Sequence, residues 1–244
     1  MDRLSTNQPI KFTCRPDLTS FNSIINAWAK SRDRDRARKA EAILHHMERQ
    51  YATGRSDLRP NVITYTTVIN AWARSGEVDA PQKTDSVLRR IDQLYQEGDD
   101  GVKPDVYTFT SVIDALGRKG TVESAEQAME VLQTMEERYR DTGDEDVRPD
   151  VRTHTSAIIA VSRSGTDPQT AEDILDRLEE TADAGGTRID TECYNSMIQA
   201  WEYSNEPGKA VHAWAVYRWM VDRCGAGVST VQPDIVGLNS VLDA

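Results

Sequence analysis

This sequence has little of what usually carries chemistry. Three cysteines, Cys14, Cys193 and Cys224, form no Cys-x-x-Cys pair. An odd, sparse count argues against a disulfide framework and for a reducing compartment. Of the four histidines, His45 and His46 are neighbours, pointing about 100° apart on a helix, so they make no metal-binding i, i+4 pair. His154 is expected to pack in a core, and His212 stands alone. Glycine-rich phosphate loops, nucleophile elbows and zinc-deaminase spacings are missing, so neither an enzyme nor a cofactor is expected. The acidic clusters at 97–105 and 141–150 do not follow the EF-hand pattern. No apolar run approaches the roughly 18–20 residues that span a bilayer, so no membrane partner is expected. The opening MDRLSTNQPIKFTC has no apolar signal core. Positive charge is in deficit, with a net charge of −11. That excludes gripping a polyanion by bulk charge, but not by a local basic stripe.

What the sequence does have is repetition, which is sought first because it decides the fold. NVITYTTVINAWARSG (61–76) has relatives at 17–31, 105–120, 150–165 and 190–204. Each follows a marker of the type Arg-Pro-Asp, whose last residues are Asp17, Asn61, Asp105, Asp150, Asp190 and Asp234. The spacings between them are 44, 44, 45, 40 and 44 residues. The chain therefore divides into a lead at 1–17 and whole units at 18–61, 62–105, 106–150, 151–190 and 191–234. A sixth unit begins at 235 and is cut at 244, as in a piece of a longer chain.

Each unit reads as two helices. Ser20, Thr64, Thr108 and Thr153 are expected N-caps of the first helix, with a weaker cap where Cys193 takes their place. In the second unit Tyr65, Val68, Ile69 and Trp72 share one helical face. Gly76, Gly120 and Gly165 fall where the first helix should end. Second helices are expected over 37–51, 125–139 and 171–180, followed by loops rich in glycine and aspartate. Such hairpins bury their apolar stripes only by stacking, which predicts an all-α, right-handed superhelical α-solenoid. Trp28, Leu116 and Val161 fall in register with Trp72 and Trp201, and core packing is favoured over base stacking for this stripe.

The units resemble pentatricopeptide repeats, helical hairpins that bind single-stranded RNA one base per repeat. The resemblance rests on the recurring first-helix motif, on Ala40, Ala128 and Ala171 early in the second helix, on Met47, Met135 and Met220 later in it, and on the terminal Pro-Asp. It covers residues 18–244. The tetratricopeptide alternative would need Trp-x2-Leu-Gly-x2-Tyr, which is not present. The units exceed the family's usual length, with the excess placed between the helices and after the second one.

The resemblance implies base selection by residue pairs: Asn22 with Asn61, Thr66 with Asp105, Thr110 with Asp150, Thr155 with Asp190, and Asn195 with Asp234. Asparagine offers a donor and an acceptor, and a threonine hydroxyl offers either, so each can meet an unpaired base edge. Carried over, the pairs imply the site 5′-Y-G-G-G-U-3′. The plainer reading makes the aspartates simple helix caps. Base packing is implied for Ile63, Tyr107, Arg152 and Val236; Thr19 and Glu192 stand at the same place, and Glu192 departs from the pattern. Phosphate contact is implied for Lys30, Arg74, Arg118 and Arg163, with Tyr203 in that place in the fifth unit. The implied role is steering the processing, stability or translation of a mitochondrial or plastid transcript, with the acidic outer face open to other proteins. The alternative is a scaffold that holds a peptide in the same groove.

Overall fold

The structure is a computed structural model that describes residues 15–183, 189–227 and 230–244. Cys14 and Arg188, and the side chains of residues 179 and 180, lie outside the described residues. Eleven α-helices follow one another among the described residues. The first helices of the units are α1 (Leu18–Lys30), α3 (Val62–Ala73), α5 (Val106–Lys119), α7 (Val151–Ser164), α9 (Thr191–Tyr203) and α11 (Ile235–Asp243). The second helices are α2 (Arg36–Ala52), α4 (Ala80–Gln96), α6 (Val122–Thr142), α8 (Pro168–Asp183) and α10 (Lys209–Gly225). They form an all-α solenoid of stacked helical hairpins.

The first helices do not start on the hydroxyl residues. The caps are Asp17, Asn61, Asp105, Asp150, Asp190 and Asp234, each accepting the backbone N–H three residues on. Ser20, Thr64, Thr108 and Thr153 sit one turn inside, at the third helical position. The reason is electrostatic as well as geometric. A carboxylate meets the orphan N–H groups and the positive end of the helix dipole better than a neutral hydroxyl. Cys193 therefore costs no cap, because Asp190 still accepts its backbone N–H at 3.0 Å. Gly120 and Gly165 close α5 and α7 in the left-handed region. Gly76 does not close α3, which ends at Ala73 with Arg74 as its cap.

The core runs unbroken along the stack. Tyr65, Val68, Ile69 and Trp72 are all buried, as the helical spacing predicts. Leu116, Val161 and Trp201 extend the stripe as core, while Trp28 is half-buried under the Lys39 ammonium, 4.4 Å from its ring centre. Each large side chain fully withdrawn from water contributes roughly 1.5–3 kcal/mol. His154 is buried, its Nδ1 2.8 Å from the Asp150 carbonyl. Ala40, Ala128 and Ala171 are inaccessible and leave room for close helix approach; Met47, Met135 and Met220 fill the gaps further along.

The extra length of the units is ordered. Single 3-10 turns at Ser56–Leu58, Asp100–Val102 and Glu145–Val147 drive Leu58, Val102 and Val147 into the core. The acidic clusters serve these turns. Asp99 and Asp144 cap them, and they also bind the preceding repeat, Asp99 to Arg59 at 2.7 Å and Asp144 to Lys103 at 2.6 Å. The two carboxylates of Asp144 and Asp146 push the Lys103 ammonium pKa well above its ordinary range.

Neighbouring first helices pack directly on one another, whereas each second helix packs chiefly on its own first helix and the next one. Gly117 allows one such approach, since a Cβ there would lie 3.1 Å from Ala160 Cβ. The second helices are bridged instead by long ion pairs: Glu41–Lys83 at 3.1 Å, Asp92–Arg138 at 2.8 Å and Glu136–Arg177 at 3.1 Å. Residues of the first helices line open hollows between repeats, a groove along that layer.

Candidate nucleic-acid interface

The ten residues of the implied recognition pairs lie at the junctions between consecutive first helices, and at the first three junctions they are linked through the third residue of the next helix. Thr66 Oγ1 lies 2.9 Å from Thr108 Oγ1, and Thr108 Oγ1 donates to Asp105 Oδ1 at 2.8 Å. Thr110, Thr153 and Asp150 repeat the arrangement at 2.9 and 2.9 Å. In the first unit Thr64 Oγ1 lies 2.8 Å from Asn22 Oδ1 and 3.0 Å from Asn61 Oδ1. In the fifth, Asn195 Nδ2 reaches Asp234 directly at 3.1 and 3.2 Å, over Gly237. The fourth junction differs. Cys193 stands in the linking position, and Thr155 Oγ1 is buried with no hydrogen-bond partner among the described residues.

These links fix hydrogen-bond polarity. A hydroxyl has one proton, and a carboxylate is the strongest acceptor present. Thr108 and Thr153 therefore give their protons to Asp105 and Asp150. Thr66 and Thr110 must then donate to Thr108 and Thr153, and only their lone pairs remain for the groove. Asn61, Asp105, Asp150, Asp190 and Asp234, the second member of each implied pair, are helix caps. Thr110 and Thr155 are buried, while Asn22, Thr66 and Asn195 are partly open.

Of the four implied base-packing residues, Tyr107, Arg152 and Val236 line hollows along the first helices, and Ile63 is exposed. Ile63, Tyr107 and Val236 are exposed despite their apolar surface, at 60%, 67% and 47%. Arg152 is exposed as well, with its guanidinium 3.8 Å from Asp114. Glu192 stands in the equivalent place and brings a carboxylate into a hollow of about 850 Å³ shared with Asp114, Arg118, Arg152, Thr155, Arg163 and Asp190. A smaller hollow of about 240 Å³ joins Lys30 and Arg74 to Tyr107, Thr110 and Arg152.

Lys30, Arg74, Arg118 and Arg163 lie at or near the C-terminal ends of their helices, where the dipole favours cations. Each is exposed, and among the described residues none has a carboxylate within 4.0 Å. The cations between second helices and in the closing loops are, by contrast, held by acids. On a chain of net charge −11, these four cations stand along the first helices without an ion pair among the described residues, although Asp114, Asp190 and Glu192 share a hollow with two of them.

One set of groove residues escapes the sequence reading. Asn26, Asn70, Asp114, Ile159 and Gln199 stand four residues after Asn22, Thr66, Thr110, Thr155 and Asn195, one turn deeper on the same face. That i+4 spacing is visible in the sequence. What is not visible is the tie from Ser156 Oγ to Asp114 Oδ1 across the helices, at 2.5 Å.

Comparison with known proteins fits the fold. A family model described as PPR repeat matches residues 100–136, and a second PPR repeat model matches residues 63–80. Among solved structures, the fold is similar to that of the pentatricopeptide repeat protein PPR10 in complex with an 18-nucleotide psaJ RNA element, at a TM-score of 0.58 and 22% identity. A triple cysteine-to-serine variant of that protein, also with the RNA element, matches equally well. In both cases 93% of this chain is covered, but only 27% of the other. Among proteins of curated function none matches.

Proposed function

We propose, from the premise that this chain is a pentatricopeptide repeat protein, that it binds single-stranded RNA along its first helices, one base per hairpin. The observation that carries the reading is the separation of charge. Among the described residues Lys30, Arg74, Arg118 and Arg163 have no ion pair, and Tyr107 and Val236 share hollows with three of them, while carboxylates hold Lys83, Arg138 and Arg177 between the second helices. A phosphate backbone complements such a stripe, and base faces complement exposed apolar side chains.

In this reading Asn22/Asn61, Thr66/Asp105, Thr110/Asp150, Thr155/Asp190 and Asn195/Asp234 select a pyrimidine, three guanines and a uracil, giving 5′-Y-G-G-G-U-3′. The unit boundaries read from the sequence define the modules. The role is binding rather than catalysis, in service of the processing, stability or translation of an organellar transcript. Among the described residues no helix is long and apolar enough to cross a membrane.

The test compares UGGGU in a single strand with the same sequence held in a hairpin stem. Base edges are hidden in the stem, so the single strand should bind at least about tenfold more tightly. Equal binding, or no binding to either, would favour a groove that holds a peptide.

A further inference from the structure

The three threonine–aspartate pairs look alike in sequence but not in hydrogen bonding. Thr66 and Thr110 are committed to Thr108 and Thr153. Thr155 is 6% exposed and its hydroxyl has no partner. The residue responsible is Cys193, which stands where the second and third junctions carry threonine and is fully buried. The same junction opens onto the hollow of about 850 Å³ that Thr155 and Asp190 line.

We infer that Cys193 is a specificity-determining residue of the fourth hairpin, relaxing its discrimination between guanine and adenine by leaving the Thr155 hydroxyl uncommitted. The inference rests on the RNA-binding reading above. The argument is one of donors and acceptors. On its Watson–Crick edge guanine offers two donors, N1–H and the N2 amino group. A carboxylate beside an acceptor-only hydroxyl meets both, and this is what the second and third junctions present. Adenine offers one donor, the N6 amino group, and one acceptor, N1. Its N1 faces lone pairs at those junctions and is rejected.

At the fourth junction the hydroxyl keeps its proton. In a helix threonine has two accessible χ1 rotamers, and among the described residues no hydrogen bond holds Thr155 in one of them. Turned to the hollow, it accepts from guanine or donates to adenine N1, while Asp190 accepts from either base. The fourth hairpin is therefore a purine site, whereas the second and third are guanine sites.

The experiment measures dissociation constants of the chain for UGGGU, UGGAU and UGAGU. The parent should lose about tenfold on placing adenine at the third hairpin and little on placing it at the fourth, since a well-formed polar contact to a base discriminates by about that much. Cys193→Thr supplies the missing partner and should raise the fourth-position penalty to that of the third. Cys193→Val has the same shape without the hydroxyl and should leave the penalty low. Thr153→Cys should relax the third position in turn. Because each readout is a ratio within one protein, a change in overall stability does not imitate it. Equal effects of Cys193→Thr and Cys193→Val, or a parental penalty already equal at both positions, would overturn the inference while leaving RNA binding intact. Failure of the parent to bind any of the three RNAs would overturn both.

Discussion

Asn195 donates its side-chain amide to both carboxylate oxygens of Asp234, at 3.1 and 3.2 Å. The pair closes because position 237 has no side chain: a Cβ on Gly237 would lie 2.5 Å from Asn195 Oδ1. In the first junction the same amide type meets Thr64 instead. Two identical residues thus engage through different ends of the amide, Asn22 through its oxygen and Asn195 through its nitrogen, according to a neighbour 42 positions away in each case.

Gly237→Ala should displace Asn195 from Asp234. Alanine gains roughly 1 kcal/mol of helix propensity over glycine, against two charge-assisted bonds lost at a partly open site. Stability should therefore move by less than about 1 kcal/mol. Preference for UGGGU over UGGGC should fall by about tenfold. Urea denaturation and a binding titration measure the two. An unchanged preference would remove Asn195 from base selection.

Asp105 separates capping from recognition. Asp105→Ala removes the acceptor of both Thr108 N and Thr108 Oγ1 and should cost about 1 kcal/mol, within a range of 0.5–2. Asp105→Asn keeps a good cap but replaces a carboxylate with an amide, so it should hold stability and change the base chosen by the second hairpin. Denaturation midpoints and a four-base panel at that position check this. If Asp105→Asn leaves the panel unchanged, Asp105 is a cap alone.

The basic stripe predicts a salt response. With one phosphate at each of Lys30, Arg74, Arg118 and Arg163, the log–log slope of affinity against salt should be roughly −3, from about 0.7 per single-strand contact. Lys30→Ala with Arg74→Ala should bring it to roughly −1.4 and weaken all RNAs alike. A slope near zero in the parent would exclude phosphate contact by the stripe.

Glu136 links two repeats on the outer face, 3.1 Å from Arg177 and 3.6 Å from His154 Nε2. Burial alone would raise its pKa, but His154, Arg177 and Arg140 together hold it below the ordinary 4.5. A carboxylate with a depressed folded-state pKa stabilises above its unfolded pKa, and that contribution is lost as pH falls through the folded value. Stability should thus fall on acidification below about 4.5, and Glu136→Gln should flatten part of that fall. Denaturation midpoints between pH 3 and 7 test this; superimposable curves would contradict it.

The lengthened closing loops are part of the core. Leu58 is inaccessible to solvent at the end of its 3-10 turn. Leu58→Ala should cost 2–5 kcal/mol, as buried leucine truncations typically do. A loss near zero in urea denaturation would mean the loop detaches freely.

The stacked hairpins were legible in local pattern, whereas Asn26, Asn70, Asp114, Ile159 and Gln199 were not read as groove residues. Tyr65, Val68, Ile69 and Trp72 share a face because helical periodicity is local, and the Pro-Asp markers recur because each first helix needs a stop before it and a cap at its start. Even so, a local reading assigned the cap to Ser20 and Thr64, three residues late. Both residue types can cap, and the choice depends on backbone geometry at the entry to the helix. The tertiary structure alone decided what the recognition side chains bond to. The partners of Asn22, Thr66, Thr110 and Asn195 lie 39 to 43 residues away, on another helix. Such contacts depend on the offset between packed helices, which no periodicity records. For the same reason Thr155 resembles Thr66 and Thr110 in sequence but lacks a partner in the fold. The cations of the stripe were legible as a repeat; their freedom from carboxylates was not, because it required knowing which face each of the 40 acidic residues occupies.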